Sequence, residues 1–337
     1  MTRPLTVVAA MGCLAVVLCS TGSAAAEAVA DPDEPTPRAA AADPRDAFRY
    51  DPPTIEAPRL RNAEPRTTVY LDATYARSND LSALPNIAGK AYGFRLAAGG
   101  SLKLGRFQLD LELPAGQYTA LALEDPNALF IIDPNDKHQS AISLGDSRLG
   151  AQWTAALDAK DVAIVAGFGL SVRIPTHTTR FTFHLIDGSE GLYVLPYYFH
   201  IEPTIIFGEA IGPISFVMNQ GALALLGPDG TVADIPVVTP TIYFWDAHYG
   251  ISARIVEGFG LSFALNTTYQ LNKLDPVVFP NLNRVRSAYA TPGAQFQFGH
   301  YRLDVVGRIG IKRGAEPMGV VTFAGTDSVM VRVSRIY

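Results

Sequence analysis

The stretch that decides the fold runs from Phe259 to Asn272, FGLSFALNTTYQLN, and it alternates with a period of two. Phe259, Leu261, Phe263, Leu265, Tyr269 and Leu271 fall on one face; Gly260, Ser262, Ala264, Asn266, Thr268, Gln270 and Asn272 fall on the other. That period belongs to a β-strand, whose successive side chains point to opposite faces. A strand with one apolar and one polar face suits a soluble sandwich, apolar side inward. It equally suits a membrane barrel, with its apolar side against lipid and its polar side toward the lumen. The rest of the chain chooses between them.

Outward from this stretch, similar segments recur near residues 67–77, 91–104, 107–114, 142–157, 161–174, 192–208, 213–226, 237–255, 258–272, 287–298, 301–313 and 327–337. The joints between them alternate in length. Five are short: Gly105-Arg106, Asp158 to Lys160, Glu209 to Gly212, Val256-Glu257 and Gly299-His300. The others, 78–90, 115–141, 175–191, 227–236, 273–287 and 314–326, are long. A sandwich has no reason to sort its loops this way, whereas an outer-membrane barrel has short periplasmic turns and long external loops. The sequence therefore predicts an all-β fold: a single closed antiparallel transmembrane β-barrel of about twelve strands, with ten and fourteen the neighbouring even counts. An even count returns both termini to the periplasm.

The two chain ends agree with this. Arg3, an apolar run from Pro4 to Cys19 and the small residues Ser23, Ala24, Ala25 and Ala26 have the three-part layout of a secretory signal, expected to be cut after Ala26. Cys13 and Cys19 leave with it, so the mature chain is expected to carry no disulfide. No later segment offers 18 or more consecutive apolar residues, so a membrane crossing must use strands. At the other end Val329, Val331, Val333 and Tyr337 share one face of a strand that stops at an aromatic residue. This resembles the signal by which outer-membrane barrels are handed to their assembly machinery. Arg335 departs from it, at a depth where a long cationic side chain can snorkel. Aromatic residues near strand ends, among them Tyr70, Tyr92, Phe107, Tyr243, Trp245 and Phe298, are expected to form interfacial girdles.

Between signal and barrel, residues 27–64 are rich in Ala and Pro, with nine acids and five arginines and no sustained period. Such a tail is expected to be disordered or extended. Two readings stand: a periplasmic linker, or a lumen plug acting through Phe48, Arg49, Tyr50 and Arg59. The barrel then occupies residues 65–337. Without residues 1–26 the chain has 26 basic and 32 acidic residues, a net charge of −6, and no basic stripe; this argues against nucleic acid as a partner.

The polar side of each strand supplies the candidate lumen residues: Asp72, Arg95, Lys103, Asp110, Glu112, Asp146, Arg148, Arg173, His200, Glu202, Asp246, His248, Arg254, Arg302, Asp304, Arg308, Lys312 and Arg332. Both signs are present in similar numbers. Such a lumen either passes small solutes with weak ion preference or ties itself shut in salt bridges. Twelve strands enclose more space than the eight whose side chains nearly fill it.

Catalysis has little support. The histidines form no metal-binding spacing on a helix, and no serine sits in a glycine-flanked nucleophile elbow. No cofactor, metal or catalytic residue is expected. His200 with Glu202 and Asp246 with His248 lie two apart, each pair on one strand face, and read as an acid/base set or as lumen hydrogen-bond pairs. Asp133-Pro134-Asn135-Asp136 offers oxygen ligands but lacks the glycine and distal glutamate of a calcium loop, and reads as a turn.

Leu144-Gly145-Asp146-Ser147-Arg148-Leu149-Gly150, followed by a hairpin and then Gly167 to Pro175-Thr176, resembles the "GD…L" strand and the strand ending in "PT" of the MetA-type outer-membrane barrels. His177 stands where that family has glycine. The family is associated with degradation of phenol and other aromatic compounds and is thought to pass hydrophobic molecules. The resemblance implies uptake of small organic compounds. The chain thus reads as a monomeric passive channel for small solutes in the bacterial outer membrane, with lipid and the assembly machinery as its other partners. A non-conducting structural or surface-binding barrel, and a barrel enzyme acting on lipid, are the alternatives.

Overall fold

The computed structural model describes residues 44–50, 63–78, 89–123, 138–157, 162–176, 180–184, 190–194, 199–227, 230–232, 235–237, 241–273, 286–312 and 327–337. A short 3-10 helix, Pro44–Tyr50, precedes seventeen strands. In chain order these are β1 (Thr68–Ser78), β2 (Gly89–Leu104), β3 (Phe107–Leu123), β4 (His138–Ser143), β5 (Ser147–Ala156) and β6 (Val162–Ile174). Then come β7 (Arg180–His184), β8 (Glu190–Val194), β9 (Phe199–Ile211), β10 (Ile214–Leu226), β11 (Gly230–Val232) and β12 (Ile235–Val237). The last five are β13 (Ile242–Val256), β14 (Phe259–Gln270), β15 (Arg286–Phe298), β16 (Tyr301–Lys312) and β17 (Asp327–Ile336).

Twelve of them form the expected closed antiparallel barrel. Starting at β1, the order is β2, β3, β5, β6, β9, β10, β13, β14, β15, β16 and β17, and β17 pairs back onto β1 from Thr68↔Ile336 to Arg77↔Asp327. Beyond the last strand, Tyr337 N donates to Thr67 O at 3.0 Å, so the chain's end lies beside the start of the barrel. Four turns carry a glycine at positive φ: Gly105 (64°), Gly212 (56°), Gly258 (77°) and Gly299 (59°). Tight hairpins need that conformation, and a residue without Cβ adopts it freely. This explains why two turns sit slightly later than the joints read from sequence: β9 runs to Ile211 and turns at Gly212-Pro213, and β13 runs to Val256 and turns at Glu257-Gly258.

Alternation along the strands sets lipid against lumen. On β14, Leu261, Phe263 and Tyr269 are exposed, while Gly260, Ser262, Ala264, Thr268 and Gln270 are buried. Leu71, Leu111, Phe168, Ile251, Val305 and Val331 continue the exposed apolar belt around the barrel, and Ile205 is 65% exposed. A water-soluble sandwich would bury such side chains; a bilayer solvates them.

Three departures from the sequence reading have local causes. First, the strand expected over 142–157 is two pieces in one line: β3 pairs with β5 through Phe107–Glu112 and with β4 through Gln117–Ala122. The break falls at Leu144–Asp146, where Gly145 has φ +93° and a β-carbon would lie 2.9 Å from Pro114 Cβ. Opposite it β3 bulges at Ala115, since Leu96 pairs with Gly116 and Ala97 with Pro114. Second, the segment expected over 192–208 divides, Glu190–Val194 joining a separate four-stranded sheet, β12-β11-β8-β7, built from what was read as two long loops. Third, Tyr70, read as a girdle residue, is buried inside, because period two places it on the same face as Asp72.

Two prolines interrupt the ladder. The β15–β16 pairing passes from Ala290↔Ile309 to Gly293↔Val306 and skips Thr291-Pro292. The β9–β10 pairing passes from Gly221↔Thr204 to Ala224↔Ile201 and skips Glu202-Pro203. Proline has no N–H to give to a neighbouring strand.

Candidate functional site

The lumen is the candidate site, and its two walls differ. On the wall formed by β16, β17 and β1 to β6, charged side chains pair with one another. Glu112 is the hub: Arg95 Nη2 donates to its Oε1 at 2.6 Å, Tyr70 Oη donates to Oε2 at 2.8 Å, and Arg148 Nη1 lies 3.9 Å away. Arg332 Nη2 donates to Asp72 Oδ2 at 2.7 Å while its guanidinium stacks 3.9 Å above the Tyr70 ring. Arg302 Nε donates to Asp304 Oδ1 at 2.6 Å, and Arg308 stacks 3.7 Å above the Tyr289 ring. Register explains these meetings. Asp72, Arg332 and Asp304 lie directly across three neighbouring strands, a row of alternating sign. A second row, Glu112, Arg148, Arg173 and His200, crosses four strands and sets two guanidiniums side by side. Like charges directly opposite repel, so the carboxylates flanking this row, Glu112 and Asp146, fix its geometry; Arg173 Nε is 3.8 Å from Asp146 Oδ2.

The two halves of the MetA-type resemblance meet here. Gly145 and Asp146 end the gap in the β4–β5 line, Pro175-Thr176 follows β6, and Thr176 Oγ1 donates to Gly145 O at 2.6 Å. Residues 31 apart in sequence thus hold one corner of the lumen together, with the Arg173–Asp146 pair beside it.

The opposite wall, β9, β10, β13 and β14, carries Glu202, Asp246 and His248, all buried on the inward face. His248 Nδ1 is bonded to Asn266 Oδ1 at 2.7 Å, and Asn266 Nδ2 donates to Thr291 Oγ1 at 2.8 Å. His248 is therefore held by an asparagine on the neighbouring strand, within a hydrogen-bond chain that runs on to Thr291. Asp246 faces Gly221 on β10 and Thr268 on β14. Of the remaining sequence candidates, Asp110 and Arg254 are half-buried and Lys103 is exposed at the short-turn end. The Lys312 side chain, the 133–136 turn and Arg59 lie outside the described residues, as do residues 1–43. Among the described residues, no group of three or more His, Cys, Asp or Glu is arranged to hold a metal ion.

Below the acids, toward the short turns, the same wall becomes apolar and the tail enters. The helix Pro44–Tyr50 packs on β6, β9, β10, β13 and β14. Ala47, Phe48 and Ala63 form one buried cluster with the inward-facing Ala163, Val165, Ala210, Val217 and Ala264, and Phe48 is 0% exposed. This corrects the expectation of an extended tail for Pro44–Tyr50: Pro44 opens the helix where no N–H partner is needed, and apolar burial holds it. Two glycines make the seat. A β-carbon on Gly260 would fall 2.2 Å from Tyr50 Cδ1, and one on Gly208 would fall 3.2 Å from Phe48 Cε1 and 2.4 Å from Ala63 Cβ. The carbonyl end of the helix is held by guanidiniums: Arg66 donates to Phe48 O and, at 3.3 Å, to Arg49 O, and Arg302 also donates to Arg49 O.

Sequence reasoning passed over Gly208, Gly260, Arg66 and the small inward residues. A signal existed: VAIVAGFG, residues 162–169, is apolar on both faces, and one of those faces cannot be for lipid. Also passed over was His138-Gln139-Ser140, whose His and Ser share one face of β4; Ser140 is exposed, and the His138 side chain lies outside the described residues.

No protein-family model and no curated protein matches the chain. Among solved structures, the COG4313 outer membrane channel from Pseudomonas putida F1 is similar, with a TM-score of 0.56 and 12% identity, over 84% of this chain and 100% of that one. The translocator domain of autotransporter NalP from Neisseria meningitidis matches with a TM-score of 0.50 and 13% identity, over 81% of this chain and 88% of that one. The fold is that of bacterial outer-membrane β-barrels. Such low identities speak to architecture, and the chemistry has to come from the residues.

Proposed function

We propose that the protein is a monomeric outer-membrane channel for the passive passage of small solutes, with hydrophobic or aromatic compounds as the favoured class, and that the tail helix occludes it from the periplasmic side. The observation that carries this reading is the filling of the barrel. A barrel closed for strength alone would need an interior completed by its own strands. Here the inward face of the strands is largely polar and charged, and where it turns apolar at the periplasmic end, at Ala163, Val165, Ala210, Val217 and Ala264, it is covered by a segment outside the barrel, Pro44–Tyr50. The similar COG4313 protein is itself described as an outer membrane channel. Lipid contacts the apolar belt. Val329, Val331 and Val333 on β17, with Tyr337 just beyond it, are offered to the assembly machinery, and Arg335 lies 4.8 Å from the Tyr337 ring at the barrel's rim.

Single-channel recording in planar bilayers tests the reading. The unmodified mature chain should give small steps, and Phe48→Ser combined with Tyr50→Ser should give steps several-fold larger. A barrel silent at every voltage with and without those substitutions would instead be a structural or surface-binding protein.

A further inference from the structure

We infer that the seam where the last strand meets the first carries a binding site for one phospholipid of the periplasmic leaflet. Arg335, beside Tyr301 and Tyr337, holds the phosphate, and one acyl chain lies over Gly100 and Ala98.

Period two on β17 turns Val329, Val331 and Val333 outward, and the next residue of that face is a cation, Arg335. It stands at the short-turn end of the barrel. Ile336 N donates to His300 O in the turn before β16, and Tyr337 N donates to Thr67 O just ahead of β1. Aromatic girdles mark this level as that of the lipid headgroups. In the lumen, Arg95, Arg302 and Arg332 each bond a carboxylate of the barrel. The Arg335 guanidinium has no such partner: among the described residues no carboxylate or carbonyl accepts from it. What it meets is two rings, Tyr337 at 4.8 Å and Tyr301 at 5.8 Å from their centroids. Contact with a ring uses the face of a guanidinium and leaves its N–H fork in the plane, open to an acceptor. The hydroxyls of both tyrosines, themselves exposed, are likewise without a bond inside the described chain. A fork of cationic donors flanked by hydroxyls matches the paired oxygens of a phosphate, and phosphate is the anion that a bilayer supplies at that depth.

The apolar half of the lipid has a place alongside. Arg335 stands across from Val69 on β1, and Val69 across from Gly100 on β2. One pleat deeper in the bilayer the row is Val333, Leu71 and Ala98. The outward face of β2 is therefore small at Gly100 and Ala98. On its two sides Val69 and Leu71, and Leu111 and Leu113, stand exposed. These side chains bound a furrow one strand wide that runs from the rim into the apolar belt. It lies two strands, about 10 Å, from Arg335, within the span of a lipid whose phosphate and chains share one glycerol. A free phosphate would leave the furrow empty, so the occupant is the whole phospholipid. Because the site straddles the pairing of β17 with β1, a bound lipid bridges the two ends of the barrel.

Native mass spectrometry of the full mature protein in detergent, titrated with a phosphatidylglycerol, tests this through the first lipid bound. Each sample is first shown to be folded by its heat-modifiable band. Arg335→Gln should weaken that lipid at least about tenfold, and Arg335→Lys, which keeps the charge and loses the fork, about threefold. A diacylglycerol with the same chains and no phosphate should bind the unmodified protein at least about tenfold more weakly than the phospholipid. Ala98→Leu, which fills the furrow away from the guanidinium, should weaken the phospholipid about threefold. Millimolar inorganic phosphate should leave the lipid in place. If Arg335→Gln does not fold, the diacylglycerol and Ala98→Leu carry the same comparison. The inference is overturned by unchanged affinity in Arg335→Gln or in Ala98→Leu, by a diacylglycerol that binds as well as the phospholipid, or by displacement of the lipid by inorganic phosphate. Unchanged lipid binding by Arg335→Gln together with its failure to reach the outer membrane in cells would give this residue to the assembly machinery instead.

Discussion

On the wall from β16 through β17 and β1 to β6, the groups that fill the lumen belong to the barrel and are tied to one another. Arg95, Tyr70 and Arg148 gather on Glu112, and Arg332 on Asp72. On the opposite wall, β9 to β14, the filling at the periplasmic end is a visitor: Phe48 and Tyr50 rest on Gly208 and Gly260, held by apolar contact and by three bonds from Arg66 and Arg302 to two carbonyls. The first wall cannot be emptied without unbalancing buried charge. The second can be emptied by moving one short helix. Stability and occlusion are therefore assigned to different sides of the same cavity.

The sharpest way to break this contrast is Glu112→Ala. It leaves Arg95 and Arg148 without their shared carboxylate and should lower stability by about 3–5 kcal/mol, read from the urea midpoint of the folded band in detergent. A loss below about 1 kcal/mol would mean that water reaches the hub and that the wall is not tied as described. Next in size is Leu261→Arg, on the lipid face of the strand that carries Gly260, expected to cost about 2–4 kcal/mol in a bilayer. Its lumen-facing neighbour Ser262→Ala removes one bond accepted from Gln295 Nε2 at 2.7 Å, and should cost about 1 kcal/mol. Equal costs would show that lipid and lumen faces have been interchanged.

Gly260→Leu sharpens the comparison from the other side. Leucine cannot share space with Tyr50, so the helix should leave and the conductance step should rise, while the barrel's own stability changes by no more than about 1 kcal/mol. If this substitution destabilises the barrel as much as Glu112→Ala does, the helix is part of the core and the distinction between walls disappears. The smallest effect expected is that of Thr176→Val, which removes the hydroxyl bond to Gly145 O and should cost about 1 kcal/mol without altering conductance.

How far the sequence could be read follows from which interactions are local. Period two, turn glycines and the sorting of joints are properties of neighbouring residues, so the closed twelve-stranded barrel and the inward placement of Asp72, Glu112, Arg148, Arg173 and Asp246 were legible. The pairing of those charges was not, because it depends on register across strands. Nothing within β5 or β6 alone says that Arg148 will stand opposite Arg173, and nothing in β1 says that Asp72 will meet Arg332, 260 positions away. The break at Gly145 and the four-stranded sheet beyond the barrel were hidden for a similar reason. A bulge on β3 decides the first, and pairing between two separate loops decides the second. The tail helix was the hardest to foresee: a lone 3-10 turn has almost no signature of its own, and its reason for existing lies in glycines far along the chain.

The skipped pairings at Pro203 and Pro292 bear on how the barrel breathes. They mark off β10, β13, β14 and β15 as a panel of four strands joined firmly to one another and less continuously to β9 on one side and β16 on the other. In each gap the amide hydrogen that faces the skipped partner, one of Ala222 and Leu223 on β10 and one of Gly307 and Arg308 on β16, should exchange with deuterium sooner than its neighbour, which keeps its partner on β13 or β17. Val217, Gly260 and Ala264 lie within that panel while Ala163, Val165, Gly208 and Ala210 lie on β6 and β9 outside it, so the tail helix straddles one edge of the part of the barrel best able to yield as a unit.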